Sequence, residues 1–244
     1  MAKCIVITGA GSGLGRAVAR RLAADGHTLV LLGRTASSLE AVAVELGAAC
    51  HTVQCDVADP ESVRTAFVAL GERHGTIDVL INNAAVYQVF TVEEATDAQI
   101  ATAMTINFAG PIYCSRAVIP LMQKGSQIIN ISSEAVGKPF AMFSLYQSSK
   151  AGLERFSEAL HDELEPAGIR VTMIRCGQMM DADSKFPTSG EVARRFAEEN
   201  LKRGLNLRDR PTSSFISVTN IFQMLVNLPD DINVPRLIVE ARRP

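Results

Sequence analysis

The chain has 244 residues, with 24 basic and 26 acidic side chains, and its formal net charge of −2 is not gathered into long runs of one sign. This balance gives no reason to expect a nucleic-acid or membrane-surface partner. No apolar run reaches the roughly 18 residues that a membrane span needs, and the start, MAKCIVITGAG, lacks the pattern of a signal peptide. We therefore expect a cytoplasmic protein.

Cysteine and histidine are few and scattered. The five cysteines have no CxxC spacing, and the four histidines show no metal-ligand spacing. An odd number of unclustered cysteines predicts free thiols in a reducing compartment rather than disulfides. We expect no metal site.

Along the chain, short aliphatic runs alternate with longer segments of helical spacing. The strand-like runs are KCIVIT, TLVLLG, HTVQCDV, IDVLIN, SQIINIS, IRVTMIR and RLIVE, and helices are predicted over segments that include 14–24, 37–46, 60–73 and 146–165. Strand runs that are apolar throughout indicate strands buried on both faces. The pattern predicts an α/β protein: one domain over residues 1–244 with a doubly wound Rossmann fold, whose mostly parallel seven-stranded sheet carries helices on both faces. Ligands of such sheets bind at the carboxyl ends of the strands.

The first predicted strand is followed by TGAGSGLG, residues 8–15. Its glycines follow the spacing GxxxGxG, from Gly9, Gly13 and Gly15, rather than GxGxxG. They let the backbone approach a ligand closely, and the helix that begins near Gly13 directs its N–H groups at it. The pattern, directly after a strand, predicts a dinucleotide site; the alternative is a structural loop.

The second predicted strand ends in LLGRTASS, with Gly33 where an NAD-binding protein has an acidic residue and Arg34 after it. A guanidinium can bind a 2′-phosphate through charge-assisted hydrogen bonds, and no carboxylate repels it. The sequence therefore favours NADP(H) over NAD(H). The alternative is that Arg34 is a solvated turn residue.

The chain resembles the short-chain dehydrogenase/reductase family over nearly its whole length. The resemblance rests on TGAGSGLG, CDV at 55–57, NNAA at 82–85, Asn107 in TINFAGP, INISS at 129–133 and YQSSK at 146–150. The thirteen-residue step from Ser133 to Tyr146 and the four-residue step to Lys150 are its most specific features.

The resemblance implies a catalytic tetrad of Asn107, Ser133, Tyr146 and Lys150. In this family Asn107 would kink its helix to seat a water, and Lys150 would also hold the nicotinamide ribose. Thr8 would brace the glycine turn, Asp56 would contact the adenine, and Asn83 would support the cofactor-binding loop. The full predicted cofactor site is Thr8, Gly9, Gly11, Ser12, Gly13, Leu14, Gly15, Arg34, Thr35, Asp56, Val57, Asn83, Ala84, Tyr146, Lys150 and Gly177.

The chemistry of the pair Tyr146 and Lys150 also follows from their residue types. Hydride transfer between an alcohol and a carbonyl requires a proton donor or acceptor at the oxygen. A tyrosine with its usual pKa of about 10 is a poor base at neutral pH, and a nearby ammonium is expected to lower that pKa. Residues four apart share a helix face, and Ser133 can donate a hydrogen bond to the substrate oxygen. We expect structural roles for Ser132, and packing or pocket roles for Tyr87 and Tyr113.

Three positions depart from the family pattern. Ala85 stands where glycine is common, and Cys176 precedes Gly177 where proline is usual. Asp181 replaces a threonine that contacts the nicotinamide amide; its carboxylate either accepts from that amide or the contact is lost.

The segment 178–210 is predicted to be a substrate lid. An apolar wall is predicted from residues that could equally pack in the core: Val86, Phe140, Met142, Phe143, Met179, Met180 and Phe186. Such a pocket suits an apolar or aromatic ketone, aldehyde or alcohol. The basic residues Arg194, Arg195, Lys202 and Arg203 are expected to form a solvated helix face. Apolar faces within 108–121 and 153–164 indicate a homodimer or homotetramer.

The sequence thus predicts an NADP(H)-dependent oxidoreductase that interconverts a carbonyl and an alcohol. Two alternatives remain open. The same residues could serve a dehydratase or epimerase, or the chain could be a non-catalytic NADP-sensing or scaffold protein, although no tetrad residue is missing.

Overall fold

The computed structural model describes residues 2–181, 188 and 190–242, and its centre is a seven-stranded sheet. Every pair of neighbouring strands is parallel, and the order is β3-β2-β1-β4-β5-β6-β7. The strands are β1 (Cys4–Thr8), β2 (Thr28–Gly33), β3 (Cys50–Gln54), β4 (Val79–Asn82), β5 (Gln127–Ser133), β6 (Arg170–Cys176) and β7 (Arg236–Val239). The predicted doubly wound α/β fold and its seven strands are confirmed.

Helices cover both faces of this sheet. They are α1 (Gly13–Ala24), α2 (Ala36–Leu46), α3 (Pro60–His74), α4 (Asp97–Met104), α5 (Gly110–Val118), α6 (Ser144–Leu164), α7 (Gly190–Lys202) and α8 (Phe215–Val226). Apolar residues of α1, α2 and α8 form one core cluster with the sheet, and those of α3, α5 and α6 form a second cluster on its other face. In the described part of the chain, no helix is long and apolar enough to cross a membrane.

The central strands are apolar throughout because both of their faces are covered. In β1, Ile5 and Ile7 belong to one core cluster and Val6 belongs to the other, and all three are fully buried. The two edge strands do not follow the predicted burial on both faces. In β7 the side chain of Ile238 is 51% exposed, and β3 alternates between half-buried and exposed residues. Both strands lie at an edge of the sheet, where fewer side chains of helices and of other strands pack against them.

The strand order places the functional loops together. From β1 the chain proceeds outward through β2 and β3 and then returns to β4 on the other side of β1. This reversal opens a crevice at the carboxyl ends of β1 and β4, where ligands of such sheets bind. The glycine turn follows β1, the loop NNAA follows β4, and Ser133 and Cys176 end β5 and β6. Four separate sequence signals therefore meet at one edge of the sheet.

Candidate active site

A cavity of about 920 Å³ lies along the carboxyl ends of the strands. All predicted cofactor residues border it except Thr8 and Gly15, which lie behind its wall. Those that border it are Gly9, Gly11, Ser12, Gly13, Leu14, Arg34, Thr35, Asp56, Val57, Asn83, Ala84, Tyr146, Lys150 and Gly177. The cavity continues from the glycine turn past the ends of β4, β5 and β6 to residues of the lid.

The glycine turn has no room for side chains at two positions. A Cβ on Gly9 would lie 2.9 Å from the Cα of Ala84, and Gly9 has a φ of +65°. A Cβ on Gly15 would lie 2.4 Å from the carbonyl oxygen of Gly9. The turn therefore packs directly against the loop after β4 and against the start of α1. Because α1 begins at Gly13, its unpaired first N–H groups face a site suited to a phosphate.

Thr8 and Asn83 brace each other across this junction. The buried hydroxyl of Thr8 accepts hydrogen bonds from the N–H groups of Asn83 and Ala84, both at 3.0 Å. In return, Nδ2 of Asn83 donates to the carbonyl oxygens of Thr8 at 2.9 Å and Gly9 at 3.3 Å. Thr8 thus supports the loop after β4, and the side chain of Asn83 supports the glycine turn.

Arg34 and Thr35 line the far end of the cavity, beyond β2. The side chain of Arg34 is exposed, and its carbonyl oxygen accepts from Nε2 of Gln54 at 2.9 Å. Two lining residues that the sequence reasoning missed, Arg16 and Ser38, add a second guanidinium and a hydroxyl. Both lie in the first turns of helices that begin at the cavity, and this position is the signal that could have identified them.

Asp56 also borders the cavity, and one carboxylate oxygen of Asp56 accepts from the N–H of Ala58 at 3.0 Å. This bond holds the turn that follows β3. Among the described residues, no group of three or more His, Cys, Asp or Glu is arranged to hold a metal ion.

The structure brings Ser133, Tyr146 and Lys150 together beside the cavity. Ser133 is the last residue of β5, and Tyr146 and Lys150 lie one turn apart near the start of α6. The hydroxyls of Ser133 and Tyr146 are hydrogen-bonded. Lys150 is 2% exposed, and its Nζ donates to the carbonyl oxygen of Ile131 on β5 at 2.7 Å. The ammonium is therefore held against the same strand that presents Ser133.

Burial shifts the pKa values of Tyr146 and Lys150 in opposite directions. It raises the pKa of Tyr146 to about 12, which the hydrogen bond with Ser133 only partly opposes. Burial lowers the pKa of Lys150 to about 8. The expected lowering of the tyrosine pKa is thus not what the structure shows, because desolvation of the phenolate outweighs the lowering effect of Ser133. Tyr146 is a protonated phenol at neutral pH, and this is the form that can donate a proton.

Asn107 lies behind the cavity wall rather than in it. It sits in a π-helical segment, Thr105–Ala109, that joins α4 to α5, so the helix widens where the kink is predicted. The side chain of Asn107 is fully buried. Its Oδ1 accepts from the N–H of Val86 at 2.8 Å, and its Nδ2 donates to the carbonyl oxygen of Val86 at 2.7 Å and to Oγ of Ser149 at 3.3 Å. It joins the loop after β4 to α6.

The neighbouring serine has a different environment. The hydroxyl of Ser132 donates to Oε1 of Glu154 at 2.7 Å, and that carboxylate also pairs with Arg175. Ser132 therefore takes part in a buried ionic network. Tyr113 packs in the core cluster, whereas the ring of Tyr87 borders the cavity, 6.1 Å from the ring of Tyr146.

The three departures from the family pattern also border the cavity. Ala85 lies in its wall. Burial raises the pKa of Cys176 to about 12, so its thiol is neutral even though the Lys150 charge opposes the rise. The Oδ1 of Asp181 accepts from the N–H of Phe215 at 3.0 Å, at the beginning of α8. The carboxylate thus fixes the start of α8.

The described parts of the lid are held to the rest of the protein at two places. At its base, Ser213 donates from its N–H to the carbonyl oxygen of Gln178 at 3.1 Å, and Met180 donates to that of Ser213 at 3.0 Å. On α7, Oδ1 of Asn200 accepts from the N–H of Ala141 at 3.0 Å. Of the basic lid residues, Arg194, Lys202 and Arg203 are exposed, and Arg195 pairs with Glu94.

The substrate side of the cavity is largely aromatic. Val86, Phe140, Phe143, Met179 and Met180 border it as predicted, whereas Met142 packs behind them. Phe186 lies outside the described residues. The sequence reasoning missed further lining residues, which are Glu134, Ala193, Phe196, Leu207 and Arg210. The positions of Ala193, Phe196, Leu207 and Arg210 depend on how α7 and the end of the lid pack, and the local pattern carries no signal for that. Glu134 directly follows Ser133, and this adjacency could have identified it.

Comparison with known proteins gives the same picture. A family model described as short chain dehydrogenase matches residues 3–186. A serine 3-dehydrogenase of Agrobacterium fabrum is 32% identical over 244 residues, covering 97% of this chain and 93% of that protein. A sulfoacetaldehyde reductase of Chromohalobacter salexigens is 33% identical over 252 residues, covering 100% and 95%. An NADP-dependent 3-hydroxy acid dehydrogenase of Salmonella typhi is 30% identical over 235 residues, covering 94% and 91%.

Solved structures agree with this. The closed form of a serine dehydrogenase complexed with NADP+ superposes with a TM-score of 0.82 at 26% identity, covering 97% of this chain and 94% of that one. A short chain dehydrogenase of Burkholderia cenocepacia in complex with NADP gives 0.82 at 27% identity, covering 98% and 96%.

The brace between Thr8 and the loop after β4 can be tested by a substitution that keeps its shape. We expect Thr8→Val to lower the free energy of unfolding by about 2–3 kcal/mol, because the N–H of Ala84 loses its acceptor and the N–H of Asn83 keeps only its bond to the carbonyl oxygen of Ile81, at 3.1 Å. Thr8→Ser keeps the hydroxyl and should cost about 1 kcal/mol, the value of one buried methyl group. Urea denaturation measures both; equal losses for the two variants would contradict the assignment.

Proposed function

Because the chain belongs to the short chain dehydrogenase family, we propose that it is an NADP(H)-dependent oxidoreductase that interconverts a carbonyl and an alcohol by hydride transfer. One observation carries this proposal. Ser133, Tyr146 and Lys150 meet at one part of the cavity, and the glycine turn and the start of α1 form another part of the same cavity. A cofactor and a proton-transfer group can therefore act on one substrate.

The residues fit a dinucleotide. Gly9, Gly11 and Gly13 border the cavity without side chains, so a pyrophosphate can approach the backbone there. Asp56 and Val57 would line the adenine, Asn83 and Ala84 the adjoining ribose, and Lys150 and Gly177 the nicotinamide end. The nicotinamide supplies or accepts the hydride when bound. The exposed guanidinium of Arg34, with Arg16 nearby in the wall, supports NADP(H), and the NADP complexes of structural relatives support it too.

The proton chemistry follows from the pKa directions. In carbonyl reduction, the protonated phenol of Tyr146 donates to the oxygen that gains charge, while Ser133 donates a hydrogen bond to that oxygen. The resulting phenolate is stabilised by the ammonium of Lys150. In alcohol oxidation, Tyr146 must first lose its proton, which its pKa of about 12 disfavours. At neutral pH the site thus holds the protonated phenol that carbonyl reduction uses.

The cavity wall supports a substrate with an apolar or aromatic body. The ring of Phe143 lies 5.3 Å from that of Tyr146 and 5.0 Å from that of Phe196 on α7. The substrates named for the three relatives each combine a hydroxyl or carbonyl group with an acid group. This supports carbonyl–alcohol chemistry and leaves open which residue would bind an acid group.

The proposal also covers the oligomeric state and the cellular location of the protein. The family is typically oligomeric, and we infer a homodimer or homotetramer because Ile112 on α5 and Phe156 on α6 stay only half-buried within one chain. All five cysteines carry free thiols, which supports a cytoplasmic location.

The acid–base assignment is tested by Tyr146→Phe. The ring contacts remain and only the hydroxyl is lost, so kcat/KM for carbonyl reduction should fall by about 100- to 10,000-fold. NADPH binding, followed by fluorescence, should change little.

The same assays separate the alternatives. A dehydratase or epimerase would instead convert substrate with no net change in NADPH absorbance. A non-catalytic sensor would bind NADPH and reduce nothing in a broad carbonyl panel. A Tyr146→Phe variant that keeps most of the wild-type rate would contradict the acid–base role of Tyr146.

Lys150 predicts a pH dependence. The lysine is charged below its pKa of about 8 and loses its charge as the pH rises. Because the ammonium stabilises the phenolate, kcat/KM for reduction should be level at neutral pH and decline above an apparent pKa near 8. Lys150→Arg keeps its charge at all these pH values, so any activity that it retains should decline only at higher pH. A wild-type rate that stays level well above pH 8 would rule this role out.

Arg34 predicts cofactor preference. Arg34→Asp should raise the Kd for NADPH at least about tenfold and change that for NADH little, because it replaces a charge-assisted hydrogen bond with repulsion. Arg155→Asp is the control, since Arg155 is an exposed α6 residue that pairs with Glu158 outside the cavity. Equal weakening of NADPH and NADH binding would refute the assignment.

A further inference from the structure

A buried charge pair stands in the wall of the substrate side of the cavity. Arg210, at the end of the lid, pairs with Glu134, and the two side chains are 15% and 9% exposed. The guanidinium of Arg210 also lies over the ring of Phe140, 4.8 Å from its centroid. Arg210 and Glu134 both border the cavity, whose lining on this side includes Phe140, Phe143 and Phe196. Arg210 is therefore a largely desolvated, paired cation beside an aromatic wall.

One carboxylate serves two cations here. Arg210 contacts Oε1 of Glu134, and Lys138 contacts Oε2 of the same side chain. A second acid, Glu240, lies 3.5 Å from Lys138 but is 58% exposed, so solvent screens its charge. Glu134 therefore divides its charge between Arg210 and Lys138, and Arg210 keeps N–H donors that this carboxylate does not use.

This cluster adjoins the reacting groups. Glu134 directly follows Ser133 in the chain, and its charge contributes to the raised pKa of Tyr146. The rings of Phe140, Phe143 and Tyr146 form a continuous wall from Arg210 to the phenol, with neighbouring centroids 5.7 and 5.3 Å apart. A small molecule with its carbonyl at Tyr146 can therefore extend along this wall to the guanidinium.

We propose that Arg210 binds an acid group of the substrate, so that the enzyme acts on hydroxy acids and oxo acids with an apolar or aromatic body in preference to neutral carbonyl compounds. This inference rests on the proposed function. A guanidinium has five N–H donors in a planar fork suited to a carboxylate, and the bond to Glu134 involves one of its terminal nitrogens. Arg210 is thus a specificity residue of the reaction that Tyr146 and Ser133 carry out.

The test compares an acid with its neutral ester. The substrates are 4-acetylbenzoate and its methyl ester, reduced with NADPH, and 4-(1-hydroxyethyl)benzoate and its methyl ester, oxidised with NADP+; in each, the aromatic ring separates the reacting group from the acid group. Arg210→Met should lower kcat/KM for the acids by about 10- to 100-fold, mostly through KM, since a charge-assisted bond is lost. The esters should change less than about threefold, and Arg210→Lys should recover part of the activity on the acids.

The control is Arg195→Met. Arg195 is also a lid arginine paired with a glutamate, but it is exposed and does not border the cavity. It should leave both acids and esters unchanged. If Arg210→Met lowers activity on acid and ester equally, Arg210 only anchors the lid and the inference is wrong. It is equally wrong if wild-type protein reduces neutral carbonyl compounds and accepts neither acid.

A binding measurement separates this inference from the proposed function. Calorimetry with 3-phenylpropanoate, which cannot react, is performed on the NADP+ complexes of wild-type and Arg210→Met protein. Binding that requires Arg210, in a protein that turns over no carbonyl, would overturn the proposed function and leave the acid site standing. Equal binding by both proteins would overturn the acid site.

Discussion

The contact between the glycine turn and the loop after β4 is the constraint on which the site depends. Parallel strands bring their carboxyl ends together, but two loops can share one crevice only if neither fills it with side chains. Because Gly9 and Gly15 have no Cβ, the turn can pack directly against Ala84 and against the start of α1, and the hydroxyl of Thr8 accepts from the N–H groups of Asn83 and Ala84. The other residues that border the cavity, from Arg34 to the start of α6, lie along the crevice that this junction bounds.

The chemistry depends on a second property of the same crevice, which is that its inner end removes Tyr146 and Lys150 from solvent. Burial disfavours both the phenolate of Tyr146 and the ammonium of Lys150, so each group resists the charge that the reaction needs. Because both groups resist charge, the phenol stays protonated and the lysine loses its proton far more readily than a solvated one does. The hydrogen bonds from Lys150 to Ile131 and between Ser133 and Tyr146 hold the two side chains in position.

The sequence was informative where function depends on local geometry. Short-range patterns identify a glycine turn after a strand, a four-residue step on a helix and an aliphatic strand core. The strands and the family were predicted from these patterns. Phe196 and Arg210 were missed because their roles come from the packing of distant elements, whereas Arg16 was missed although its place in the first turn of α1 could have identified it. The pKa of Tyr146 was expected to fall because residue spacing reports which charges are near but not how far burial removes solvent. The same limit applies to Asp181, whose carboxylate meets the main chain of Phe215.

The hydrogen bonds between Gln178, Met180 and Ser213 have a consequence for how such proteins diversify. They close the base of the lid, so the chain leaves and rejoins the sheet region at adjoining points. The length and composition of the segment in between can then change without altering β6, α8 or the cofactor crevice. Substrate choice can evolve there independently of the redox chemistry, as interchangeable loops do on other rigid scaffolds.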